Sequence, residues 1–339
     1  MQPEHIPGAS KVNDLNTHSA FSMQEMEPSP VDDSASDLEN GEHIPKSQSH
    51  GPTPAGALEG ESFISKLGLR AHRWDSWFAA VQKYSTYPPT LFIALHLFNT
   101  SLIPLATRSV PASDNYLLLT RPVYQSPGLE HVVLTIPVLA HIATGIALRS
   151  IRASRRARLY GAEPRDRHSV LSRFWPGANL QARTGYALVP LLGTHVLVNR
   201  VVPLAVDGGS SGVGLGYVAH CIARSPVFWN VYYLLFVAAG VWHVVGGWAA
   251  WMGWGVTTSR SERANRASLA TYLGSPKSQQ RARRQRKTWW VVNGIAALGA
   301  SVWLAGALGI IGRGGEGSGW EAKGWNEIYN QVPVIGEWL

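Results

Sequence analysis

Four histidines, His96, His141, His195 and His243, each stand inside a strongly apolar stretch of the 339-residue chain. An imidazole placed in hydrocarbon is uncommon and turns toward the bundle interior, where polar groups find partners. Their spacing repeats. His96 and His195 are both followed eight residues later by Pro-Leu-Ala, beginning at Pro104 and Pro203, while His141 and His243 have Gly145 and Gly247 at i+4. Two neutral imidazoles on facing helices can bind a haem iron axially, and small residues one turn away let a flat macrocycle approach the backbone. By that criterion His141 and His243, with Gly145, Gly247 and Gly240 nearby, are the expected axial ligands of a haem b iron. His96 and His195, with Thr100 and Asn199 at i+4, suit hydrogen bonding better. The same four residues fit two other uses, interhelical hydrogen bonds of about 0.6–2 kcal/mol each or a proton or ion path. Counted from the ends of their apolar runs, all four fall near mid-membrane, which favours one haem over two.

The elements that must position these residues are apolar runs at 88–107, 132–148, 186–206, 227–251 and 289–311, each near the roughly 20 residues that cross about 30 Å of hydrocarbon. The expected fold is an all-α membrane protein with five transmembrane helices. Its first four helices form a duplicated two-helix hairpin, because Ser126-Pro127 and Ser225-Pro226 precede the second and fourth runs as the histidines mark all four. Internal repeats of this kind pack about a pseudo-twofold axis with any site at the repeat interface. The chain divides accordingly into a disordered acidic tail (1–60), an interfacial amphipathic helix (63–83), a first hairpin (84–150), a basic loop (151–182), a second hairpin (183–254), a second basic loop (255–287), the fifth helix (288–311) and an interfacial tail (312–339). In the fifth helix Ala297, Ser301, Ala305 and Gly309 recur every fourth residue, a small-residue face suited to close packing.

Charge sets the orientation. Residues 1–60 carry ten Asp/Glu against two Lys, net −8, so the remainder must carry +16 to give the overall +8. Nine Arg lie between Arg149 and Arg183 and nine Lys/Arg between 255 and 287. Basic loops favour the cytosolic side, which places the N-terminus there and the C-terminus opposite, with Trp320, Trp325, Tyr329 and Trp338 as an interfacial anchor. The basic loops also suit anionic lipid headgroups. Nothing points to nucleic acid. The tail is rich in Ser, Pro, Asp and Glu and buries too little apolar surface to fold. With Cys221 alone, no intramolecular disulfide and no thiolate-built zinc or iron–sulfur site can form. Arg200, in the far half of the third run, is expected to snorkel to the interface, with pairing to a haem propionate as the alternative, and Gly212, Gly214 and Gly216 read as a flexible loop.

The paired His-x7-Pro-Leu-Ala segments at His96 and His195, the His-x3-Gly segments at His141 and His243 and the fifth span resemble the fungal mitochondrial adaptor family called MCP, the Mdm-ten-complementing proteins. The resemblance covers residues 63–311. At the level of bundle and haem ligation only, the chain more distantly resembles the membrane cytochrome b subunits of succinate dehydrogenase and fumarate reductase. Membership of the MCP family would imply a non-enzymatic, multi-pass adaptor of the mitochondrial outer membrane. Its N-terminus would be cytosolic and its C-terminus in the intermembrane space. It would act in lipid homeostasis by recruiting a bridge-like lipid-transfer protein through a tail peptide of the form hydrophobic-x-x-hydrophobic-x-Pro-x-Pro. Here Met23, Met26, Pro28 and Pro30 match that form. Such a peptide stays extended, because proline disfavours helix at the residue before it, and can add to a sheet edge. The readings that compete with an adaptor are a b-type cytochrome anchor for electron transfer and a carrier of a small molecule or haem.

Overall fold

The computed structural model describes residues 71–160, 180–254, 276–334 and 336. Every described residue lies in the unit Ala35–Leu339. Met23, Met26, Pro28 and Pro30, most of both basic loops and Trp338 lie outside the described residues.

Five helices are long and apolar enough to cross a membrane, Trp74–Thr107, His131–Arg152, Leu180–Asp207, Pro226–Trp251 and Ala282–Arg313, and each contains one of the expected apolar runs. Among the described residues there is no strand. The outer surfaces of these helices are apolar, with Leu91 at 76% exposure and Val227 at 79%. In water such surfaces would drive association, whereas in hydrocarbon they match the solvent. The stretch read as an interfacial helix is helical over Ala71–Tyr84 and packs along the second span.

The duplication is written into the backbone as well as the sequence. Spans 1 and 3 each widen into a single π-helical turn, Phe98–Leu102 and Leu197–Val201, just before Pro104 and Pro203. A third wide turn, His131–Thr135, precedes Pro137 in span 2. Proline has no N–H to donate and its ring crowds the preceding turn, so a wider turn accommodates it without breaking the helix. Both proline segments then end in a left-handed residue, Arg108 at φ 52° and Gly208 at φ 69°. Glycine adopts that conformation freely, while a side chain there costs roughly 1 kcal/mol.

Spans 1 to 4 close a ring. Span 3 packs along span 4, and span 1 meets span 2. Span 4 reaches span 1 where the Trp248 indole donates to Thr90 Oγ1 at 3.2 Å. Span 2 reaches span 3 at both ends, through Glu130 with Arg200 and through Arg149 lying over the Tyr186 ring. Spans 1 and 3, and spans 2 and 4, are therefore the diagonals of the bundle. Span 5 packs outside, against spans 4 and 1.

The packed face of span 5 is not the expected one. Ala297, Ser301 and Ala305 are exposed, whereas Val292, Ala296, Ala300 and Gly306 are buried. Ala296 and Ala300 pack on Val237 and Val241 of span 4. A Cβ on Gly306 would fall 2.3 Å from the Cα of Ser101, whose hydroxyl donates to the Val302 carbonyl at 2.7 Å. Small residues occur on two adjacent faces of this helix, and a four-residue period alone cannot say which one finds a partner.

The far ends of the spans carry a cap of three helices, Val110–Thr120, Leu215–Arg224 and Gly319–Asn330. Tyr217 and Tyr329 stack with centroids 4.3 Å apart, and the Tyr329 hydroxyl donates to the Tyr217 carbonyl at 2.9 Å. This corrects two expectations. The glycine stretch is no free loop: Gly214 lets Asp114 close on the start of the second cap helix, where Oδ1 accepts the Leu215 N–H at 3.0 Å. Trp325 and Tyr329 are not membrane anchors either, since Tyr329 is 1% exposed and the Trp325 indole donates to the Gly212 carbonyl. Among the described residues of that set, only Trp320, 83% exposed, stands free as an interfacial residue would. Cys221 lies in the same core, where burial pushes its thiol well above the usual range and makes it a packing residue rather than a nucleophile.

Candidate functional site: two diagonal histidine pairs

The ring of spans brings the four histidines together in two pairs. His96 and His195 face each other across one diagonal, with ring centroids 6.0 Å apart and planes at 76°. His141 and His243 do so across the other, at 6.1 Å and 80°. Side chains on diagonal helices point to the bundle axis, so matched repeat positions meet by symmetry.

The pairs lie at different depths, which corrects the expectation that all four share one mid-membrane level. His243 contacts the Gln181 carbonyl at the start of span 3, fourteen residues before His195. On span 4 the His195 ring stacks on Phe236, seven residues before His243. At about 1.5 Å rise per residue, these offsets separate the pairs by on the order of 10–20 Å along the axis. Run ends read from hydropathy misplace the true helix starts, and here span 1 begins well before residue 88.

Their environments differ. His141 Nδ1 lies 3.1 Å from the Gln82 carbonyl, and His243 Nδ1 lies 3.1 Å from the Gln181 carbonyl. A carbonyl only accepts, so both Nδ1 atoms carry the proton and both Nε2 atoms keep a free lone pair. The Gln181 amide nitrogen also comes within 3.3 Å of His243 Nδ1 but is itself a donor, and it donates instead to the His243 carbonyl at 2.6 Å. His243 sits close against span 3 because position 185 is glycine, where a Cβ would lie 2.8 Å from its ring. The other pair is packed by aromatic rings, His96 on Phe92 and His195 on Phe236. His96 Nδ1 is buried without a partner.

The hydrogen bonding expected beside His96 and His195 is present, chiefly to the histidine backbone. Thr100 donates to the His96 carbonyl and accepts from the Trp303 indole. Asn199 donates to the His195 carbonyl at 2.9 Å and stands 3.5 Å from its ring nitrogen. The clearance at Gly145 and Gly247 admits the amides of Gln82 and Gln181, to which added Cβ atoms would lie 3.1 Å and 3.4 Å. Gly240 faces Leu188. These glutamines were missed from the sequence, although each stands fourteen residues before a repeat histidine, His96 or His195.

Arg200 does not snorkel. Its Nε donates to Glu130 Oε1 at 2.9 Å, its Nη2 to Oε2, and its Nη1 to the Ser210 hydroxyl. A bidentate, charge-assisted pair satisfies both ions where they stand, so neither has to reach bulk water. Among the described residues no group of three or more His, Cys, Asp or Glu could hold a bare metal ion.

Fold and site define the class: a five-span helical membrane protein whose first four helices are a duplicated hairpin with paired histidines on its diagonals. Residues 190–316 match the family described as MDM10-complementing protein 1, transmembrane domain. The mitochondrial adapter protein MCP1 of Saccharomyces cerevisiae is 24% identical over 277 residues, covering 74% of this chain and 88% of that protein. Both findings support the resemblance to the MCP family. No solved structure matches the chain, and the resemblance to succinate dehydrogenase and fumarate reductase cytochrome b subunits finds no support.

Proposed function

We propose that this protein is a mitochondrial outer-membrane adaptor in lipid homeostasis, with its tail and basic loops facing the cytosol. The observation that carries this reading is the similarity of 74% of the chain to a protein named as a mitochondrial adapter. The bundle is the anchor and the tail segment Met23-x-x-Met26-x-Pro28-x-Pro30 is the contact for a bridge-like lipid-transfer protein. In support, the two methionines provide apolar side chains at a fixed interval, and the prolines keep the peptide extended for strand addition. About thirty residues between the motif and residue 63 span on the order of 30 Å by random-coil scaling, enough to present the peptide clear of the headgroups. The eighteen basic residues of the two loops supply the charge that anionic headgroups on the same face require.

Pro28→Ala with Pro30→Ala in the full chain tests the assignment, read by co-localisation of the lipid-transfer protein with mitochondria. Recruitment is expected to be lost while insertion and abundance stay unchanged. Undiminished recruitment by the double variant would remove the motif from the proposal. Sidedness is tested by protease treatment of intact mitochondria: an N-terminal tag is expected to be digested and a C-terminal tag protected.

A further inference from the structure

The His141 and His243 pair is prepared to ligate something, and the chemistry of the surroundings limits what that is. Each ring presents a free Nε2 lone pair, because Nδ1–H is committed to a backbone carbonyl. A histidine that ligates a metal characteristically donates its other ring N–H to such an acceptor, which fixes both the tautomer and the ring orientation. The arrangement occurs twice, in equivalent places of the duplicated hairpin, through Gln82 and Gln181. Two imidazoles that share one metal at about 2.0–2.1 Å each, with the ring centre about 1 Å beyond the nitrogen, have centroids about 6 Å apart. The observed separation is 6.1 Å.

Two nitrogen ligands do not complete the shell of a bare zinc or copper(II) ion, each of which takes about four donors or more. No third His, Cys, Asp or Glu joins the pair among the described residues. The ligand must therefore bring its own equatorial donors, and a flat apolar macrocycle in a membrane bundle does so. Spans 2 and 4 are diagonal partners rather than close-packed neighbours, so the imidazoles meet across the bundle axis. Beside them the glycine surfaces at 145 and 247 are covered only by the ends of two flexible side chains, the Gln82 and Gln181 amides.

We propose that His141 and His243 are the axial ligands of one iron porphyrin, bound at the tail-side level of the bundle, with the Gln82 and Gln181 carbonyls holding both rings in the ligating tautomer. The His96 and His195 pair is not a second site. Its rings are stacked on Phe92 and Phe236, and neither Nδ1 donates to a carbonyl. This inference is independent of the adaptor reading, because no step of it uses the tail.

The test uses the full chain purified in detergent and titrated with ferric haem, followed by absorption before and after dithionite and by low-temperature EPR. One haem per chain is expected, with a six-coordinate low-spin spectrum. The planes at 80° predict a strongly anisotropic low-spin EPR signal, as perpendicular imidazoles give. His141→Ala and His243→Ala should each abolish the low-spin spectrum and weaken haem binding at least tenfold, with an unchanged size-exclusion profile. His96→Ala and His195→Ala should leave it in place. His243→Met should keep a six-coordinate spectrum with shifted bands, which separates ligation from a purely structural role of the residue. Absence of a saturable Soret band in the wild-type chain, a spectrum indifferent to both alanine variants at 141 and 243, or loss that follows His96 and His195 instead, would each overturn the proposal.

Discussion

The two histidine pairs share residue type, repeat position and ring separation, yet they sit in different halves of the protein. His96 and His195 belong to the half that leads into the far-side cap, where aromatic stacking, the Glu130–Arg200 ion pair and the Ser101–Gly306 contact hold the spans together. His141 and His243 belong to the tail-side half, where the rings rest on two backbone carbonyls and two glutamine amides. The difference teaches that duplication copies a residue and its geometry without copying its use. A histidine whose nitrogen is left without a partner is being used as an apolar ring, and one whose proton is committed has a lone pair to offer.

The largest effect separating the halves is expected at Arg200. Removing one member of a buried pair leaves an uncompensated charge, at about 3–5 kcal/mol when fully buried, and the 24% and 20% exposure of these side chains lowers the expectation to about 2–4 kcal/mol. Thermal unfolding in detergent should show Arg200→Ala as strongly destabilised and Glu130→Ala with Arg200→Ala as less so. An additive double variant would mean that the far half is not held by this pair. Next comes Gly306→Leu, which drives a side chain into the Ser101 backbone of span 1; about 1–3 kcal/mol of overpacking is expected by the same measurement.

The direct comparison of the pairs is smaller. His141→Phe gives up a hydrogen bond to the Gln82 carbonyl and should cost about 1 kcal/mol. His96→Phe removes a buried nitrogen that has no partner and should stay within about 0.5 kcal/mol of wild type, or stabilise slightly. Equal losses at both positions would erase the distinction drawn between the pairs. The smallest effect is expected for Gln82→Ala, because the backbone carbonyl that accepts from His141 survives the substitution. A change within about 0.5 kcal/mol would fit that role, and a larger one would show that the amide over Gly145 matters more than the carbonyl.

What the sequence determined by itself was the set of properties that are local along the chain. Hydrophobic length located five spans, because about 20 apolar residues are needed whatever their neighbours. The repeated His, Pro and Gly spacing exposed the duplication, because equivalent sequence folds into equivalent backbone down to the wide turns before Pro104 and Pro203. Only the tertiary structure decided which surfaces meet. It moved the packed face of span 5 to Ala296 and Ala300, gave Arg200 to Glu130, turned the Gly214 region and Tyr329 into a cap, and split the histidines into two levels. A period of four residues, an arginine in a helix or a histidine in hydrocarbon each permits several partners. The choice among them belongs to helices that are distant in sequence and adjacent only once the bundle has closed.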